Sequence, residues 1–124
     1  MIDAESQLHA LHARYQTSLP NKRASIELAW RALCADCSDP VRLESLMRLV
    51  HRLAGSAASY GYLEIGEFAR SADALIEQFR RVGKTASNTE NYSGILDGLT
   101  PLISSLLQAL EQASDAPKLD CATN

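Results

Sequence analysis

Residues 51–61 read HRLAGSAASYG, and the pattern around them decides which kind of element carries them. Leu43, Leu46, Met47, Val50, Leu53, Ala54, Ala57 and Ala58 recur at spacings of three and four. That is the apolar stripe of a helix that faces a core. Asp39 is a candidate N-cap with Pro40 at the first helical position, and Gly61 is a candidate left-handed terminator. The reading predicts a helix over residues 40–59. Glu44, Arg48, His51 and Gly55 follow one another at spacings of four, three and four, and form a polar strip beside the stripe. His51 therefore reaches water, with a glycine one turn further on. A glycine inside a helix costs about 1 kcal/mol relative to alanine. Bare backbone beside an exposed imidazole points to a partner that must come close; the bland alternative is a surface histidine with an incidental glycine.

Working outward, the chain reads as helices and little else. Leu8, Leu11, Tyr15 and Leu19 predict a first helix over residues 3–18, interrupted by Pro20 and Asn21. Ile26, Ala29, Trp30, Leu33 and Cys37 predict a second over 21–37. The helix with His51 is the third. Ile65, Phe68, Ala69, Ala72, Leu75, Ile76 and Phe79 predict a fourth over 62–82, stopped by Gly83. A polar loop follows at 84–88. Tyr92, Ile95, Leu96, Leu99, Leu102, Ile103, Leu106 and Leu110 predict a fifth, which Pro101 is expected to kink or break, with Thr100 capping a fresh start. Residues 114–124 lack periodicity and are expected to be disordered. Nothing alternates with a strand period or repeats. Helices with one apolar stripe and short connections bury those stripes best as a bundle. The expected fold is all-α: an antiparallel four-helix bundle made by the second to fifth helices, with the additional N-terminal helix packed across one end, and a single domain over residues 1–113.

Composition narrows the function. With 124 residues the chain is long enough for one core. A net charge of −3 argues against a nucleic-acid partner. No apolar run approaches the roughly 20 residues of a membrane span, and the start, Met-Ile-Asp-Ala-Glu, has no signal-peptide character. The expected location is the cytoplasm. Three cysteines do not suggest a disulfide framework. Cys34 and Cys37 form a C-x-x-C, but neither a strand–helix setting nor two further ligands accompanies it, so both read as small core or boundary residues. His9 and His12, three apart, lack a carboxylate or thiol pattern nearby and read as exposed helix residues.

The segment of His51, Leu53, Gly55, Ser56 and Gly61 resembles the signature of histidine-containing phosphotransfer (HPt) domains. Ala69 also matches, and Asp73 stands 22 residues after the histidine, where the family carries Glu or Gln. The resemblance covers roughly residues 21–113. One position departs: the family usually has Lys three residues after the histidine, and here that residue is Ala54. The lysine offsets phosphoryl charge in the family. Arg48, one turn before His51, and Arg70, one turn before Asp73, are candidate substitutes; Arg52 reads as pointing sideways.

The resemblance implies a phosphocarrier and not an enzyme that works alone. His51 would accept a phosphoryl group from a receiver-domain aspartate and return it to another, in a monomer with no cofactor of its own, the magnesium belonging to the receiver. In-line approach requires a protruding histidine with small neighbours, a clearance that Gly55 supplies. Asp73, facing His51 across the hairpin that turns at Tyr60 and Gly61, would accept a hydrogen bond from Nδ1–H and leave Nε2 to react. An ordinary surface acid is the equal alternative for Asp73. Receiver or hybrid-kinase contacts would come from Ala54, Ala58, Tyr62 and Leu63 on the hairpin and from Leu8, Leu11 and Tyr15 on the first helix. Each equally suits the core, and Leu8 and Leu11 suit it better. Two other readings stay open. One is an HPt-like docking module that regulates a receiver or histidine kinase without carrying phosphate, which the missing lysine favours. The other is a kinase dimerisation domain, which the residue after the histidine, Arg52, opposes.

Overall fold

Asp39 opens the second helix as the sequence predicts. Its backbone is extended, its carboxylate accepts a hydrogen bond from the Val41 N–H at 2.9 Å, and Pro40 occupies the first helical position. At the other end the Gly61 N–H reaches the Ala58 carbonyl at 3.2 Å and the Tyr62 N–H reaches that of Ala57 at 2.8 Å. This is a Schellman closure, and Gly61 takes the left-handed φ of 87° that it demands. The computed structural model describes residues 4–83 and 90–115. It contains α1 (Ala4–Ala35), α2 (Pro40–Ser59), α3 (Leu63–Gly83) and α4 (Glu90–Asp115), with no strand among the described residues. The helices form a ring in which α1 and α3 each pack on both α2 and α4.

The described residues thus form four helices, not five. Residues 4–35 form one continuous helix through Pro20 and Asn21, so the additional N-terminal helix is the first half of α1. The physical reason is phase. Tyr15, Leu19, Ile26 and Leu33 are all buried, at spacings of four, seven and seven. They share one face, so a single rod buries both predicted stripes and a break gains nothing. Proline in a helix interior costs about 3 kcal/mol, against about 1.5–3 kcal/mol for each large apolar side chain buried. Pro20 is exposed, and the turn before it is held by Thr17 Oγ1 donating to the Ala13 carbonyl at 2.9 Å and Ser18 Oγ to that of Tyr15 at 2.6 Å.

Pro101 is absorbed in the same way. α4 runs unbroken across it, with Ile95, Leu99, Ile103, Leu106 and Leu110 buried on one face. Thr100 does not cap a new helix; its hydroxyl donates back to the Leu96 carbonyl at 2.6 Å. α4 extends to Asp115, so the first two residues of the expected tail are helical. The remainder of that tail and the polar loop at 84–88 lie outside the described residues.

Chain direction follows from the contacts. Arg42 donates to the Ala32 carbonyl at 2.7 Å, Tyr15 meets Ser56, and His12 meets Tyr60, so α1 and α2 run oppositely. On the other side Arg80 meets Met47, Asp73 meets His51, and Gly66 lies against Ala58, so α2 and α3 form a second opposed pair. Replacing Pro20 with alanine is expected to stabilise the fold by about 1–2 kcal/mol, since it restores a helical hydrogen bond at an exposed site. Urea denaturation followed by circular dichroism checks this; a lowered midpoint would contradict a continuous α1.

Candidate functional site

The stripe of α2 turns Leu46, Val50, Leu53 and Ala57 into the core and leaves His51 outside, its side chain 75 % exposed. Small residues bring α3 close beside it. A methyl group on Gly66 would lie 3.5 Å from the Ala58 nitrogen and 3.6 Å from the Ala54 carbonyl oxygen, so there is room for no more than that. The register of this pair brings Asp73, on the third turn of α3, to His51. The Asp73 Oδ2–His51 Nδ1 distance is 2.8 Å, and the carboxylate is only 23 % exposed. A carboxylate only accepts hydrogen bonds, so the proton in this one belongs to Nδ1. The lone pair of the neutral ring then sits on Nε2, which has no partner among the described residues.

His51 and Asp73 border an open cavity of about 460 Å³ between α2 and α3, together with Arg48, Arg52, Arg70 and Glu77. Arg48 pairs with Glu44 at 3.2 Å, and Glu77 with Arg81 at 3.5 Å and Arg80 at 3.8 Å. Arg52, read from the sequence as pointing away, borders this cavity too. Gly55 is exposed, and a Cβ built there meets nothing within 4 Å.

The candidate contact residues divide. Ala54 is buried at 8 % exposure against α3, and Tyr15 is buried at 8 %; neither offers a surface, which corrects both as contact candidates. The reason is the same for each: a neighbouring helix covers it. Leu8, Leu11 and Leu63 are exposed at 66 %, 42 % and 67 %, so for Leu8 and Leu11 the preference for the core is overturned. Ala58 and Tyr62 are half-buried.

Sequence reasoning missed the cluster that docks the first half of α1 onto the α2–α3 turn. The Tyr15 and Ser56 hydroxyls share a hydrogen bond of 2.7 Å, and the Tyr15 ring stacks on Tyr60 at 4.2 Å. His12 Nε2–H donates to the Tyr60 carbonyl at 2.9 Å while its ring stacks on Tyr62 at 5.5 Å. Burial pushes the Tyr15 hydroxyl above its ordinary pKa, with the Ser56 hydrogen bond pulling the other way, and burial raises Tyr62 as well. Tyr60 and Tyr62 stand two residues apart beside Gly61, but their pairings with His12 and Tyr15 need the fold. Cys34 is exposed and Cys37 half-buried against the core. No group of three or more metal-binding side chains gathers among the described residues, and no described helix is long and apolar enough to cross a membrane.

Gly55 has a measurable consequence. Gly55→Ala is expected to stabilise the protein by about 0.4–1 kcal/mol, because the methyl meets open space and the helix gains propensity. The same methyl would narrow the approach to His51. Thermal unfolding checks the first effect; a destabilised variant would mean that the glycine serves the fold itself.

In comparisons with known proteins, no curated protein and no solved structure matches the chain. The family model for the Hpt domain matches residues 10–116. That span includes the helix bearing His51, the one bearing Asp73, and most of α1 and α4, and the chain therefore belongs to the Hpt domain family, the phosphocarrier modules of two-component signalling.

Proposed function

We propose that this chain carries a phosphoryl group on Nε2 of His51, between aspartates of receiver domains or of a hybrid histidine kinase. The observation that carries the proposal is the 2.8 Å hydrogen bond from His51 Nδ1 to Asp73 on an otherwise exposed ring. It selects the tautomer whose nucleophilic lone pair is on Nε2. In the forward step that lone pair attacks the phosphorus of an aspartyl phosphate. The N–P bond forms, the P–O bond breaks, and the carboxylate leaves with the electron pair. The ring keeps its Nδ1 proton and becomes cationic, and Asp73 faces the new charge. In the return step a receiver carboxylate oxygen attacks the phosphorus, the N–P bond breaks, and the neutral imidazole is restored. No proton is exchanged in either direction. The exposed backbone at Gly55 gives the receiver room for in-line approach.

The chain acts as a monomer, and the magnesium ion belongs to the receiver. The docking surface combines exposed Leu8, Leu11 and Leu63 with half-buried Ala58 and Tyr62. The His12–Tyr60 and His12–Tyr62 contacts bring the first half of α1 to the α2–α3 turn, which supports a single surface built from both.

Incubation with a panel of phosphorylated receiver domains tests the proposal. The native chain is expected to acquire an acid-labile, alkali-stable label that His51→Gln lacks. Binding to a receiver with no label on the native chain would overturn phosphotransfer in favour of a docking module. Asp73→Asn is expected to slow labelling about 10–100-fold, because an amide can present its NH2 to Nδ1 and favour the wrong tautomer. Stopped labelling time courses measure this, and an unchanged rate would make Asp73 a surface acid.

A further inference from the structure

We infer that Arg52 and Arg70 together neutralise the phosphoryl group on His51, doing from two helices what the chain lacks at Ala54. The inference rests on the phosphocarrier reading of His51.

A phosphoryl group brings a charge of about −1.5 to −2 near neutral pH, and it would sit in or beside the cavity that His51 borders. Six charged side chains or titratable partners line that cavity, and most of their charge is already matched. Arg48 is paired with Glu44 at 3.2 Å, and the carboxylate of Glu77 is taken by Arg80 and Arg81, with one positive charge to spare. Asp73 is matched to the His51 ring, which becomes cationic on phosphorylation. Arg52 and Arg70 remain, exposed and with no acidic partner among the described residues. Two unpaired guanidinium groups meet one doubly charged phosphoryl group. Arginine suits the task because its planar fork donates two parallel hydrogen bonds to phosphate oxygens.

Register places Arg70 where it is needed. His51 pairs with Asp73 and Ala58 lies against Gly66, so each step up α2 is a step down α3. Arg70, three residues before Asp73, is therefore level with Ala54, three residues after His51. Ala54 is buried and carries no charge, and the Gly55 beside it leaves open space. Arg52, next to His51 on α2, borders both this cavity and the groove between α1 and α2, so it closes the site from the opposite side. Arg52 is preferred to Arg48 on α2, because Glu44 competes for Arg48 at 3.2 Å.

The test compares the native chain with Arg52→Gln, Arg70→Gln and the double variant. Each is phosphorylated from one receiver, purified and followed by ³¹P NMR. Circular dichroism confirms that each folds. In the native chain the second ionisation of the phosphoryl group is expected at lower pH than in the double variant. The double variant is expected to lose about tenfold or more in labelling rate. The ³¹P titration is read on the isolated phosphorylated domain, so a docking defect does not imitate the result. A double variant with native titration and native labelling rate would overturn the inference and leave the phosphocarrier reading intact. A native chain that no receiver labels overturns both.

Discussion

The close approach of α2 and α3 is the constraint on which the rest depends. Ala54, Ala57 and Ala58 on one helix and Gly66 and Ala69 on the other keep the interface thin beside the site. Larger side chains would push the helices apart, and a carboxylate side chain is too short to follow. With the helices close, Asp73 reaches the His51 ring at 2.8 Å while the ring itself stays in solvent. The Schellman turn at Gly61 sets the register, since a three-residue connection leaves little freedom to slide. Helical interior packing, turn chemistry and the orientation of one imidazole are thus one problem with one solution.

α1 and α4 complete the ring and do more than cover the core. The buried line from Tyr15 to Leu33 carries α1 straight across Pro20, and its first half passes beside the α2–α3 turn. There Tyr15, Tyr60, Tyr62 and His12 interlock by stacking and by hydrogen bonds to Ser56 and to the Tyr60 backbone. Stacked aromatic pairs contribute about 0.5–1.5 kcal/mol beyond their buried area. The contact stiffens the turn that fixes the register, and it leaves Leu8 and Leu11 in solvent. An exposed apolar strip held on a stiff rod suits a partner that docks transiently, because little is ordered on binding.

Charge is distributed as unevenly as shape. The whole chain carries a net charge of −3, yet the cavity by His51 retains two arginines that no acid balances among the described residues. Exposed i,i+4 pairs such as Glu44–Arg48 contribute only about 0.3–0.5 kcal/mol to stability. Their weightier effect here is to remove Arg48 and Glu77 from the local balance. What is left at the cavity is Arg52 on α2 and Arg70 on α3, the charge that the proposed phosphoryl group on His51 would meet.

The apolar periodicity of α2 and α3, the Asp39 cap and the Gly61 terminator were legible in the sequence, because each is decided within a few residues by backbone geometry and by one buried face. The exposure of His51 and the bare backbone at Gly55 were legible for the same reason. Pro20 was misread as a break, and of the kink or break expected at Pro101 the break did not occur, since a local rule prices the lost hydrogen bond and does not see that the stripes on either side share a face. Leu8 and Leu11 were misread toward the core, and Ala54 and Tyr15 were open to a surface reading, because periodicity names an apolar face without saying whether a neighbour covers it. The sequence by itself determined the apolar faces, the two ends of α2 and the exposure of His51. Only the tertiary structure decided which helix lies against which and at what register. That register brings Asp73 to His51 and Arg70 level with Ala54, since the pairing of positions far apart in sequence depends on how two helices are joined and how closely they pack.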